Sequence, residues 1–204
     1  MPKTVVCPRF SLAALLALLL GGCATFDGSD STVISSSETP TLIADVPFVW
    51  SENEVVEAML KLGGVGPQDL VYDLGCGDGR IVIAAAAKYG ARGVGIDIDP
   101  APLRFAVAGA KRAGVAARVR FVRGNMFEAD LRPATVVTLY LSESVNRRLL
   151  PKLLRELAPG TRIVSHKFTF GDAWPPERTV GVEGESIYFW SVPPRASGSA
   201  INPR

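Results

Sequence analysis

Histidine and cysteine are scarce: the chain has one histidine and three cysteines in 204 residues. His166 with Cys7, Cys23 and Cys76 forms no spaced ligand cluster, so metal binding has no support in the sequence. A dense basic block is also missing. The 22 Lys and Arg are scattered among 20 Asp and Glu, for a net charge of +2, which leaves nucleic-acid binding without its usual footprint. The apolar run Phe10 to Leu20 falls short of the ~20 residues that span a bilayer. No internal repeat is present. What remains is a chain 48% apolar and 8% aromatic, the composition of one globular α/β domain with a real core.

The first 23 residues stand apart. Lys3 and Arg9 give a positive start, the apolar run follows, and Leu20-Gly21-Gly22-Cys23 closes it with small residues before a cysteine. The pattern resembles a bacterial lipoprotein signal, which implies removal of residues 1–22 and lipid on Cys23 as the new N-terminus. That reading divides the chain into a signal peptide (1–22), a Ser/Thr-rich flexible tether (23–44), a folded domain (45–192) and a disordered tail (193–204). It leaves Cys76 as the sole free thiol, so no intramolecular disulfide forms. The expected location is a membrane-anchored lipoprotein on the periplasmic side of a bacterial envelope. The competing reading is an uncleaved anchor, or a start codon upstream of a cytoplasmic enzyme.

The domain is organised around Val71-Tyr72-Asp73-Leu74-Gly75-Cys76-Gly77-Asp78-Gly79-Arg80. An apolar strand signal runs into Asp73, three glycines follow at alternating positions, and Ile81 to Tyr89 reads as a helix stopped by Gly90. Strand, glycine turn and helix make the nucleotide site of a doubly wound α/β fold. Gly75 permits the sharp turn, Gly77 the approach of backbone to a ligand, and Gly79 a helix start close to the strand. Asp73 selects the ligand. A carboxylate at this turn repels the pyrophosphate of a dinucleotide but favours the ammonium and sulfonium of S-adenosylmethionine.

The remaining elements are read in order. Asp45 to Trp50 is apolar and extended, its Phe48 and Trp50 either core or closing over a ligand. Ser51-Glu52-Asn53-Glu54 then reads as a capping box. The helix behind it carries Val55, Val56, Met59 and Leu60 on one stripe and stops at Gly63-Gly64. Gly93 to Asp97 is a second buried strand. Its terminal Asp97, 24 positions after Asp73, is spaced to accept both hydroxyls of a ribose. Asp99 caps the next helix, Pro100 to Ala113, with Pro100 at its first position. Val119 to Arg123 alternates apolar and basic as a strand, and Gly124-Asn125-Met126-Phe127 follows it. Thr135 to Leu141 is the next strand. Ser142 to Leu157 is a helix with Leu149, Leu150, Leu153, Leu154 and Leu157 inward, and Pro151 is expected to kink or restart it. Thr161 to Ser165, Glu177 to Val182 and Ser186 to Val192 complete the strands.

Asp73-Leu74-Gly75-Cys76-Gly77-Asp78-Gly79 resembles motif I of the class I S-adenosylmethionine-dependent methyltransferases. The resemblance implies a Rossmann-like seven-stranded, mostly parallel sheet with helices on both faces. It implies S-adenosylmethionine as cofactor, held by Asp73, Gly75, Gly77, Gly79 and Asp97. In that family an acid after the third strand takes the adenine amino group; here Asn125 stands there, its amide oxygen able to accept the same bond, with Met126 offering its N–H. An ordinary Asn turn is the alternative. The Asn/Asp-Pro-Pro-Tyr/Phe signature of amino-methylating DNA enzymes is absent; Thr138-Leu139-Tyr140-Leu141 occupies its place.

Val46-Pro47-Phe48-Val49, Val136 to Leu141 with Asn146, Pro159 to Arg162, and Ser165-His166 with Gly171-Asp172 and Trp174 resemble the small protein-lysine methyltransferases whose mitochondrial members modify inner-membrane proteins. That likeness implies transfer to a protein lysine, with a membrane protein among the candidate acceptors. Tyr140 is the candidate catalytic residue, lining the pocket and orienting the amine; a rim or core tyrosine is the alternative. His166 is a candidate proton acceptor or a structural residue, and Glu143 a candidate attractor of lysine or a helix start. A small-molecule acceptor, and a non-catalytic extracytoplasmic binding or scaffold module on the same fold, remain open. A monomer attached to the membrane through its N-terminus, with no nucleic-acid partner, is expected.

Overall fold

Strands buried on both faces of a parallel sheet read as short apolar runs, and three such runs form the centre of this fold. A computed structural model describes residues 34–35 and 51–195. The signal, Cys23, most of the tether, the Val46 to Trp50 run and residues 196–204 of the tail lie outside the described residues. The elements are β1 (Ile34–Ser35), α1 (Asn53–Leu62), β2 (Leu70–Leu74), α2 (Arg80–Tyr89), β3 (Arg92–Asp97), α3 (Pro100–Arg112), β4 (Val119–Arg123), β5 (Val136–Leu139), α4 (Glu143–Glu156), β6 (Arg162–His166), a 3₁₀ turn (Gly171–Ala173), β7 (Arg178–Val182) and β8 (Glu185–Ser191).

The sheet order is β1-β4-β3-β2-β5-β6-β8-β7. Pairing is parallel from β1 to β6 and antiparallel from β6 through β8 to β7. The seven expected strands are present. The additional two-residue β1 falls inside the segment read as tether and pairs with the end of β4. Helices cover both faces. Val55, Met59, Leu60, Ile81, Val82, Leu103 and Ala106 of α1, α2 and α3 pack on one side, and Leu149 and Leu153 of α4 pack on Tyr72, Leu74, Val137 and Ile163 on the other. Strand order reverses between β2 and β5, so the crevice beyond their C-terminal ends is the ligand position this topology provides.

Three local expectations are corrected. Ser51 does not cap α1: the N-cap is Glu52, with no side-chain cap bond, because the Ser51 hydroxyl is engaged with His166 instead. Pro151 does not restart α4, which runs unbroken from Glu143 to Glu156 with Ser142 as its cap. Its missing N–H costs one helical bond, outweighed by burial of Leu149, Leu150 and Leu153. Leu154 is exposed rather than inward, since the buried stripe already takes its neighbours. The Asp99 cap is as expected, its carboxylate accepting from Ala101 N–H at 2.8 Å with Pro100 behind it.

Candidate active site

The glycine turn folds back over the end of β3. Gly75 and Cys76 both donate N–H to the Ile96 carbonyl, at 2.8 and 3.0 Å, and Gly79 donates to Cys76 at 2.8 Å. Gly75, Gly77 and Gly79 have φ of +79°, +53° and +74°, a region that side chains other than glycine adopt only with strain. Space is equally restrictive at Gly79, where a Cβ would lie 2.4 Å from the Phe121 ring and 2.9 Å from Ala106. That is the close helix–strand approach expected of this glycine. The Cys76 thiol is buried beneath the turn, and desolvation pushes its pKa well up, so it is no nucleophile.

Two carboxylates end the neighbouring strands. Asp73 is 2% exposed and accepts the Thr138 hydroxyl at 2.8 Å. Burial raises its pKa to about 7; the Thr138 bond opposes this, and the charges of Asp97 and Asp78 add to it. Asp97 accepts N–H from Gly77 at 2.7 Å through Oδ2 and from Asp99 at 2.9 Å through Oδ1. Burial raises its pKa, and those N–H donors oppose the rise. Each Asp97 oxygen keeps a lone pair beyond its backbone bond. The Gly77 N–H is thereby taken by Asp97, while its lack of a side chain leaves the backbone open to approach by a ligand.

Asn125 sits in the turn after β4. Its Oδ1 accepts Phe127 N–H at 3.0 Å and its Nδ2 donates to Glu128 at 3.1 Å, so the amide forms the Asn turn weighed as the alternative. The oxygen retains one lone pair, and the Met126 N–H has no partner among the described residues. The Met126 methyl lies 4.0 Å from the Cβ position of Gly75, so this turn faces the glycine turn.

On the other side of β2 the site changes character. Tyr140 follows β5, and its ring is 4.0 Å from that of His166 and 6.4 Å from Phe168, nearly parallel to the latter. His166 ends β6 and is 3% exposed. Burial lowers its pKa, with Glu185 opposing and Lys167 assisting, so the ring is neutral at pH 7. Its Nδ1 is 2.8 Å from the Ser51 hydroxyl, and its Nε2 has no hydrogen-bond partner among the described residues. The Ser51 carbonyl accepts Arg80 Nη1 at 2.8 Å, and Arg80 grips Asp78 through two nitrogens. One serine thus links the glycine turn to the end of β6.

Phe168 is held by backbone. Lys167 has φ +67°, and Phe168 N–H bonds the His166 carbonyl two residues back at 2.8 Å, a tight three-residue turn. Asn146, fully buried, donates to the carbonyls of Phe168 and Thr169 at 3.1 and 3.2 Å, and the Ser165 hydroxyl adds a bond to Phe168 at 2.6 Å. Glu143 is exposed at the start of α4, away from this cluster's hydrogen bonds.

The structure therefore brings together Asp73, Gly75, Gly77, Gly79 and Asp97 on one side, with Met126 against them, and Tyr140 with His166 on the other. Sequence reading missed Thr138, the buried partner of Asp73. A hydroxyl inside the apolar run Val136-Val137-Thr138-Leu139, on a strand adjacent to the Asp73 strand, was the available signal. It also missed the roles of Ser51 and Phe168, which only the tertiary fold reveals.

The model of the ANTKMT methyltransferase domain family matches residues 73–178. A protein-lysine N-methyltransferase from Saccharolobus islandicus is 45% identical over 155 residues, covering 74% of this chain and 96% of that protein. The adenine nucleotide translocase lysine N-methyltransferase of Mus musculus is 34% identical over 157 residues, covering 77% and 67%. Among solved structures, an RNA methyltransferase from Salinibacter ruber in complex with S-adenosyl-L-homocysteine is 52% identical, with a TM-score of 0.71 over 74% of this chain and 98% of its own.

Proposed function

The chain belongs to the ANTKMT methyltransferase domain family, and on that premise we propose that it transfers the methyl group of S-adenosylmethionine to the side-chain amine of a protein lysine. The residues present fit that donor. Asp73 is a buried carboxylate with no cation against it among the described residues, and an ammonium beside it would restore its charge. Asp97 has lone pairs to accept two ribose hydroxyls, and the glycine turn offers a surface without side chains. Asn125 Oδ1 and Met126 N–H have the capacity to pair with the edge of a purine.

S-adenosylmethionine supplies a methyl group activated by a sulfonium; the protein supplies position. The observation that carries the lysine reading is the adjacency of two environments. Thr138 on β5 holds Asp73, and two residues further the Tyr140 ring packs with those of His166 and Phe168, the Glu185 carboxylate, paired with Lys167, lying 3.9 Å from His166 Nε2. A lysine entering beside those rings is desolvated, which favours the neutral amine that attacks a methyl group. The amine's proton leaves to water before it enters. Tyr140 orients the nitrogen, and holding both partners in line supplies much of the acceleration. Neutral His166 buttresses Tyr140 from behind.

The likeness to the Salinibacter RNA methyltransferase supports a second reading, transfer to RNA. Incubation of the chain with methyl-labelled S-adenosylmethionine and a total cell extract separates the two. Label that resists ribonuclease and is released by protease supports the lysine reading, and the reverse pattern overturns it. The residues Leu20 to Cys23 support lipid attachment at Cys23 and a periplasmic envelope location. Mass spectrometry of membrane-extracted protein that still carries Met1 would refute that attachment.

A further inference from the structure

Charge is unevenly distributed along this chain. From Pro100 to Phe127 it carries Arg104, Lys111, Arg112, Arg118, Arg120 and Arg123 and no acidic residue, although the chain's overall balance is near neutral. The fold gathers part of this excess on one surface. The outward stripe of α3 is Ala101, Arg104, Phe105, Ala108, Lys111 and Arg112, spaced three, four, seven, ten and eleven positions from its first member. Arg104, Lys111 and Arg112 form no ion pair with the described residues. Phe105, in the middle of the stripe, is 69% exposed, well above the other exposed large apolar side chains.

We propose that this face of α3 is a docking surface for an anionic lipid bilayer. An exposed phenylalanine flanked by arginine and lysine on one helical stripe is the chemistry that enters a headgroup layer: the ring takes the apolar boundary and the cations take the phosphates. The place where the chain enters the sheet gives the second argument. β1 pairs with β4, and α3 packs over β4, so the N-terminal part of the chain joins the fold on the side where the basic stripe lies. Ile34 lies eleven positions after Cys23, and an extended chain of that length reaches at most about 40 Å. The apolar run Phe10 to Leu20, or a lipid on Cys23, would hold that side of the domain near a membrane. Asp97 and Asp99 lie at the N-terminal end of the stripe, and Phe105 and Arg112 line a cavity there with Asp99, Asp78 and Arg80, so the basic part of the face is its C-terminal half with Arg104 beside Phe105.

The test uses the full chain with vesicles of phosphatidylcholine alone and of phosphatidylcholine with phosphatidylglycerol. Phosphatidylglycerol should strengthen partitioning at least about tenfold at low salt, and high salt should remove the gain. The triple variant Arg104→Gln, Lys111→Gln, Arg112→Gln should lose that gain while binding S-adenosylmethionine as the parent does, which shows that it is folded. Phe105→Ser should weaken partitioning several-fold without changing its salt dependence. A triple variant that keeps the phosphatidylglycerol gain overturns the proposal. So does a parent chain that binds single-stranded RNA through the same three residues and shows no such gain. The methyl acceptor itself is read separately, from the label in protein or RNA, so failure of the docking proposal and failure of the lysine reading are distinguishable.

Discussion

Replacing Asp73 with asparagine should make the empty protein more stable at pH 8 and a poorer binder of its donor. In the unfolded chain this carboxyl titrates near 3.8, and in the fold at about 7. Between those values the native state holds a proton that the unfolded state has released. Stability therefore falls as pH rises from about 4 through about 7, and the penalty is constant above that. At about 1.4 kcal/mol per pH unit, the full cost is at most about 4 kcal/mol. The introduced amide keeps an oxygen for the Thr138 hydroxyl but buries an NH₂ group, which cancels part of the gain. The measurement is urea unfolding of both proteins at pH 5 and pH 8. The variant's advantage should widen by up to about 3 kcal/mol from the lower pH to the higher, because at pH 5 both side chains are uncharged. Titration with S-adenosylmethionine at pH 8 should show the opposite ranking, with the variant about ten- to a hundredfold weaker for want of a charged partner. An equal stability gap at both pH values would refute the burial argument. Unchanged donor affinity would refute the role given to Asp73.

Other outcomes follow from the same geometry. Asp97→Ala should weaken S-adenosylmethionine binding at least about tenfold by calorimetry, since it removes the proposed acceptor of both ribose hydroxyls. Tyr140→Phe should lower methyl transfer while leaving donor affinity unchanged, and Tyr140→Ala should lower it further; a donor-affinity loss in the phenylalanine variant would place Tyr140 in the wrong half of the site. Gly79→Ala should cost about 2–4 kcal/mol in chemical denaturation, because its Cβ would strike Phe121 and Ala106 at a φ of +74°.

The parts of the fold legible in the sequence were those written in local chemistry. The glycine turn and the Asp99-Pro100 cap each announce themselves within ten residues, because each satisfies backbone geometry or a nearby donor, and Asp97 is marked by ending a strand 24 positions after Asp73. Ser51 shows the limit. Its position before α1 fits a cap, but a histidine 115 residues away makes the better-buried bond, and only the fold brings the two together. Asn125 shows a different limit: one side chain serves a turn and keeps a lone pair free, so composition alone could not choose between its two readings. The clamp of Asn146 and Ser165 on Phe168 was likewise invisible, since it consists of side chains holding backbone carbonyls that no periodicity encodes.

A crystal of the full chain grown with S-adenosyl-L-homocysteine tests the site most directly. The predicted result places the amino-acid end of that product against Asp73, its ribose hydroxyls on the Asp97 carboxylate and its sulfur toward Tyr140. Density for the product in any other crevice, or a ribose turned away from Asp97, would contradict it.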